Sequence, residues 1–137
     1  MATTFALNID RWVEKAKGRG DLVVRKLSLD LLSRIVLRSP VDTGRFRGHW
    51  DVGINHWPEG LTGRRDPNGA ATIGAGSAII AQVKAGDVVY LANNLPYGPA
   101  LERGHSKQAP SGIVGVTVAE FNQAVGSAVQ AAKREVP

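Results

Sequence analysis

The sequence predicts an α+β fold: a small antiparallel β-sheet packed against a long C-terminal helix, with an N-terminal amphipathic helix and long loops. Three observations carry that expectation. Thirteen of the 16 glycines fall between Gly44 and Gly115, leaving both flanks glycine-poor. Each flank repeats its apolar residues at helical spacing. The centre holds short strand-forming runs between turn residues. At 137 residues the chain has the length of one domain. The expected plan is one unit over 1–137, with a helical segment at 1–39, strands and loops at 40–110 and the C-terminal helix at 111–137.

The first helix is expected between about Asn8 and Arg38. Leu27, Leu31 and Ile35 step by four, Val24 and Leu32 widen the stripe, and Arg25, Lys26, Asp30, Arg34 and Arg38 occupy other faces. Asn8 or Asp10 is placed to cap it. Gly18 and Gly20 allow two readings: one interrupted helix, or two helices with Asp21 capping the second. Pro40 ends the segment, because the residue before a proline is biased away from the helical region.

From Phe46 onward, Phe46, Trp50, Val52 and Ile54 share one parity while Arg45, Arg47, His49 and Asp51 take the other. That alternation predicts a half-buried strand. Residues 56–76 read as a long loop, with Thr72–Ile73 as a small added strand. A short helix is expected from Ser77 to Ala85, and a second strand from Asp87 to Asn93. Residues 94–112 are turn-rich. Val114, Val118, Phe121, Val125, Ala128 and Ala132 recur at threes and fours, which predicts one amphipathic helix from about Ser111 to Glu135.

Composition narrows the function. Apolar residues are 43% and charged residues 21%, close to globular averages. No apolar run approaches the roughly 20 residues of a membrane-spanning helix, and the opening MATTFALNIDRW does not read as a secretory signal. With no cysteine, a disulfide scaffold, a thiolate zinc site and cysteine catalysis are excluded. The net charge of +5 lies mainly in residues 1–39, where eight Lys/Arg face four acids. This basicity makes a small non-specific nucleic-acid-binding protein the alternative reading, although aromatic residues are not interleaved with the basic ones.

The expected chemistry is non-catalytic. His49, His56 and His105 lack the spacing of a helical metal site, and Asp51 and Glu102 are their only carboxylate neighbours. There is no G-x-S-x-G, and Gly74-Ala75-Gly76-Ser77 lacks the lysine of a phosphate loop. No catalytic residue, cofactor or metal ligand is therefore assigned. The prolines and glycines of Asn94–Pro110 instead make a rigid stretch that carries Tyr97, Leu101, Glu102, Arg103, His105 and Lys107. An apolar, aromatic and charged mixture of this kind suits an oligomer or partner interface.

Three strings, SPVDTGRFRGHW (Ser39–Trp50), NLPYGPALERGHS (Asn94–Ser106) and APSGIV (Ala109–Val114), carry a family resemblance. Their order and spacing resemble the tail-completion and head–tail joining proteins of long-tailed bacteriophages, of the lambda minor tail protein Z type. The resemblance implies an α+β structural protein of the virion neck, assembled in the host cytoplasm as a ring, typically a hexamer. It implies no enzyme activity, no cofactor and no membrane. The implied partners are other copies of the chain, tail terminator or tail tube proteins, head-completion or connector proteins, and genomic DNA passing through the lumen without sequence recognition. Arg45, Arg47, Arg64 and Arg65, or the N-terminal helix, are then the candidates to line the DNA channel, acting on phosphates alone.

Overall fold

Helices and a three-stranded antiparallel sheet share one continuous core, as the α+β expectation requires. The computed structural model describes residues 3–8 and 20–135. In chain order the elements are β1 (Thr3–Asn8), α1 (Gly20–Arg38), α2 (Arg45–Gly48), β2 (Trp50–Ile54), α3 (Ala70–Ile80), β3 (Val88–Asn93), α4 (Gly98–Glu102), α5 (Val114–Ala119) and α6 (Phe121–Glu135). Strand β3 is central. Thr3 pairs with its Asn93 and Asn8 with its Val88 on one side, while Trp50 pairs with Asn93 and Ile54 with Val89 on the other.

The long helix α1 organises the core. Its apolar stripe places Val24, Leu27, Leu31, Leu32 and Ile35 in the interior with no exposed surface. Helix α6 packs along α1 through Ala124, Val125, Ala128 and Ala132, whose small side chains let two helix backbones approach closely. Helix α3 fills the space between α1 and β2. Gly76 makes that possible: a Cβ there would collide with Leu32 Cδ2 and press on Val52 Cγ2.

Several expectations need correction. The described part of α1 begins at Gly20, and the choice between one interrupted helix and two falls on residues outside those described. Asn8 ends a strand rather than capping a helix, and Asp10 lies outside the described residues. Asp21 sits in the first turn of α1, and its Oδ1 accepts the Ala85 N–H at 2.8 Å. Residues 45–48 form a helical turn, so the strand begins at Trp50. Thr72–Ile73 is helical, because α3 begins seven residues before Ser77. Gly74 and Gly76 disguise this helix in the sequence; they lower helix propensity, and at Gly76 the close packing of Leu32 repays it.

The C-terminal helix is broken at Glu120, where φ is −95° and ψ is 7°. The break resets the helical phase, so the stripe read across it does not form one face. Val118 is exposed and Phe121 half-buried, whereas Thr117 is buried. Glu120 itself faces α1. Its carboxylate accepts from Arg34 Nη1 at 2.7 Å and from Arg38 Nη2 at 2.6 Å, while Arg34 also holds Asp30. Lys26 pairs with Glu135 at the far end of the same seam.

Candidate functional site

The turn after α1 is built from its own short sequence. Ser39 Oγ donates to Ile35 O at 2.8 Å and accepts the Trp50 indole N–H at 2.7 Å. Gly44 adopts φ +83°, a conformation open to glycine at no steric cost. Its carbonyl accepts from Gly48 N and Asp66 N. Arg47 then closes the end of α1: its guanidinium donates to the carbonyls of Leu37, Ser39 and Pro67. Of these, Leu37 is among the last four residues of α1, whose carbonyls lack internal partners.

The second loop is fixed by three polar clamps. Asn93, fully buried, donates to Phe46 O at 2.8 Å and accepts from Leu95 N. Glu102 reaches the start of α5 and accepts the N–H groups of Ile113, Val114 and Gly115 at 3.0, 2.7 and 2.9 Å. Gln108 pairs with Val41 in both directions, Val41 N donating to Oε1 and Nε2 donating to Val41 O, each at 2.8 Å. The two loops, far apart in sequence, are thereby held against each other.

Between them lies a cleft of about 240 Å³ lined by Pro40 to Thr43, Arg45, Phe46, Tyr97, Leu101, Ser106 and Gln108. An aromatic series runs up to it from the core. Trp50 meets Phe46 edge-on with centroids 5.9 Å apart, and Phe46 meets Tyr97, also at 5.9 Å. Trp50 is buried while Tyr97 is 39% exposed, so the series ends at solvent. A more open groove lies on the other side of Gln108, between Leu37–Ser39 and Ala109–Gly112.

The candidate interface residues divide into two groups. Tyr97 and Leu101 line the cleft, and Arg103, His105 and Lys107 stand exposed on the loop beside it. Glu102 is instead an internal clamp, its carboxylate engaged by three backbone amides. The candidate DNA-channel residues divide likewise. Arg45 is exposed on the cleft and Arg65 is exposed, but Arg47 is an internal clamp, and Arg64 is half-buried with a buried Nη1 that has no hydrogen-bond partner. The sequence reading missed Gln108 and Phe46. Gln108 carries no signal, since one glutamine in a turn-rich stretch looks solvated, and the parity of Phe46 places it in a strand.

The histidines do not converge. His49 is buried, with Nδ1 2.5 Å from Arg45 O and Nε2 accepting from Gly63 N. His56 Nδ1 lies 2.8 Å from Ile54 O, and His105 is exposed. Among the described residues no group of three His, Cys, Asp or Glu is arranged to hold a metal ion, and no helix is long and apolar enough to cross a membrane.

Comparison with family models, with curated proteins and with solved structures finds no match.

Asp66 anchors its loop to the first turn of α3. Burial pushes its carboxyl up, but hydrogen bonds from the Thr72 hydroxyl and backbone, each 2.7 Å, and from Gly69 outweigh it and hold the group below the usual carboxylate range. Asp87 is held low by the Lys84 amide and Asn55, and Glu120 by Arg38 and Arg34. Carboxyls lowered in the folded state stabilise it above their unfolded pKa, and that contribution is lost as pH falls through the folded values. The melting temperature is therefore expected to hold down to about pH 4, the unfolded carboxylate range, and to fall below it. A melting temperature unchanged between pH 5 and pH 2 contradicts this account.

Proposed function

We propose that this chain is a structural protein of a tailed bacteriophage that completes the tail or joins it to the head. It acts as a ring of identical copies, six by the family resemblance, at the neck around the DNA channel. The observation that carries this reading is the convergence of the three strings behind the resemblance. Ser39–Trp50 and Asn94–Ser106 meet at the cleft through the Phe46 and Tyr97 rings, Gln108 just beyond the second string pairs with Val41 of the first, and Ala109–Val114 is clamped to the second string by Glu102. The most specific parts of the sequence thus build one rigid, partly apolar surface. A rigid surface of this kind loses little conformational freedom on docking.

A ring of identical subunits needs two different surfaces on each copy that fit one another. The cleft supplies one, and tail terminator, tail tube or head-completion proteins would bind the faces of the assembled ring. Light scattering across a concentration series tests the reading. A mass rising from one chain towards a closed ring supports it, and Tyr97→Ser is expected to shift that rise to higher concentration while leaving the circular dichroism spectrum unchanged. Restoration of tail completion in an extract lacking this activity tests the biological role directly. A constant monomer mass, with DNA binding that weakens steeply as salt rises, would favour the small basic nucleic-acid-binding alternative.

A further inference from the structure

We infer that neighbouring copies join by insertion of Leu61 and Glu59 of one copy into the cleft between Tyr97 and Arg45 of the next. This rests on the ring reading and names its contact. The inserting part is the segment from Trp57 to Thr62. It is irregular in backbone yet fixed at both ends. Asn94 Nδ2 donates to Pro58 O at 2.8 Å and to Gly60 O at 3.0 Å, and the Trp57 indole N–H donates to Asn94 Oδ1. Thr62 Oγ1 donates to Gly48 O at 2.8 Å. Despite these ties Leu61 stands 55% exposed at the segment's tip. Glu59, two residues before it, is exposed and makes no ion pair among the described residues. A leucine displayed on a hydrogen-bonded segment is already ordered for docking, so burying it loses little further entropy.

The receiving part matches in size and charge. At about 240 Å³ the cleft is smaller than the roughly 300–1,000 Å³ of small-molecule sites. It suits a side chain or two rather than a cofactor. Its walls at Pro40, Phe46, Tyr97 and Leu101 are apolar. Arg45 lines the cleft, and Arg103 and Lys107 are exposed within two residues of the lining residues Leu101, Ser106 and Gln108. Asp42 is the one acid in the lining. No ion pair occupies Arg45, Arg103 or Lys107 among the described residues. An apolar tip carrying one carboxylate therefore meets an apolar hole whose lining holds an arginine, Arg45, in no ion pair among the described residues. Leu61 and Glu59 are not part of the cleft, so the contact joins two different patches. A pairing of that type leaves one tip and one hole free on every added copy, and it continues until a ring closes.

Mixing experiments by light scattering test this contact. Leu61→Ser keeps a hole without a tip, and Tyr97→Ser keeps a tip with a damaged hole. Each alone is expected to associate at least about tenfold more weakly than the parent, the loss typical of a contact residue at the centre of an interface. Their equimolar mixture is expected to stop at a pair of chains, because one intact tip meets one intact hole and no further. Charge exchange supplies an independent readout in exposed residues that do not threaten folding. Glu59→Arg and Arg45→Glu each weaken association, and the two changes in one chain restore it. Association of Leu61→Ser at the parent's concentration overturns the contact while leaving the ring reading standing. So does a mixture that stays monomeric, or a charge-exchanged chain no better than its single variants. A parent chain that stays monomeric at every concentration also overturns the contact, and the neck reading is then decided by tail completion in the extract. Arg45→Glu that abolishes DNA binding without changing association assigns Arg45 to phosphates and overturns the contact as well.

Discussion

A Gly44→Ala variant is expected to lose about 3 kcal/mol of stability, measured by urea unfolding with an unchanged slope. Two effects add. At φ +83° a residue with a Cβ is strained by about 1–2 kcal/mol. The added Cβ would also lie 2.6 Å from Pro67 N and 2.8 Å from Asp66 N. Both are backbone atoms, so the relief has to come from a shift of the 66–67 segment, and overpacking of this kind costs about 1–3 kcal/mol. Gly44→Asn separates the effects, because asparagine tolerates positive φ but carries the same Cβ. Asparagine as damaging as alanine assigns the loss to crowding. Asparagine close to the parent would show that the 66–67 segment yields easily and that the packing half of the argument is wrong. In either variant the cleft is expected to suffer, since Asp42, Thr43 and Arg45 are positioned by this turn.

Glu102→Ala is expected to cost about 2 kcal/mol. The lost cap contributes about 0.5–2 kcal/mol by analogy with helix N-caps, and hydrogen bonds to a charged group about 1.5–3 kcal/mol each before allowing for solvent. That allowance is real here: Glu102 is half-buried and Gly115 exposed, so water replaces part of the loss. It does not replace the bond to the Ile113 amide, because Ile113 is fully buried. Glu102→Gln is expected to fall between alanine and the parent. Its amide oxygen can still accept from Ile113 and Val114, but its NH₂ faces the Gly115 N–H where an acceptor is needed. A loss below about 0.5 kcal/mol for alanine would place Glu102 among ordinary surface residues and leave the turn from 102 to 113 without its clamp.

The α+β class was legible because periodicity reports burial, and burial dominates α1, α6 and β3. Leu27, Leu31 and Ile35, whose step of four marks the apolar face, are fully buried. What was not legible came from interactions between segments. Phe46 shares parity with Trp50 and Val52, yet Gly44 and the Asn93 bond to Phe46 O bend its backbone into a turn. Gly76 looks like a loop residue until Leu32 is placed against it. Glu120 looks like a solvent-facing residue of one long helix, but Arg34 and Arg38 draw it inward where the helix breaks. The candidate interface was legible as a stretch and not as residues. Proline, glycine and mixed chemistry marked 94–110, while only the fold separates the displayed Tyr97 and Arg103 from the inward-turned Glu102. Arg47 is the same case among the arginines, identical in sequence character to Arg45 and opposite in role.

The position of β3 between β1 and β2 has a consequence for biosynthesis. Neither outer strand bonds to the other; each finds its partner only in Val88–Asn93. While the chain is emerging from the ribosome, β1 and β2 wait with unpaired edges until that stretch is clear. Closing the β1–β3 pair spans most of the chain, and such distant pairings form slowly. A nascent chain arrested before Val88 is therefore expected to hold helical structure in α1 without a sheet, and to be the species most exposed to aggregation. Release of the central strand completes both pairings at once, which ties formation of the sheet to the moment when the loop that builds the cleft, Asn94 onward, is also about to appear.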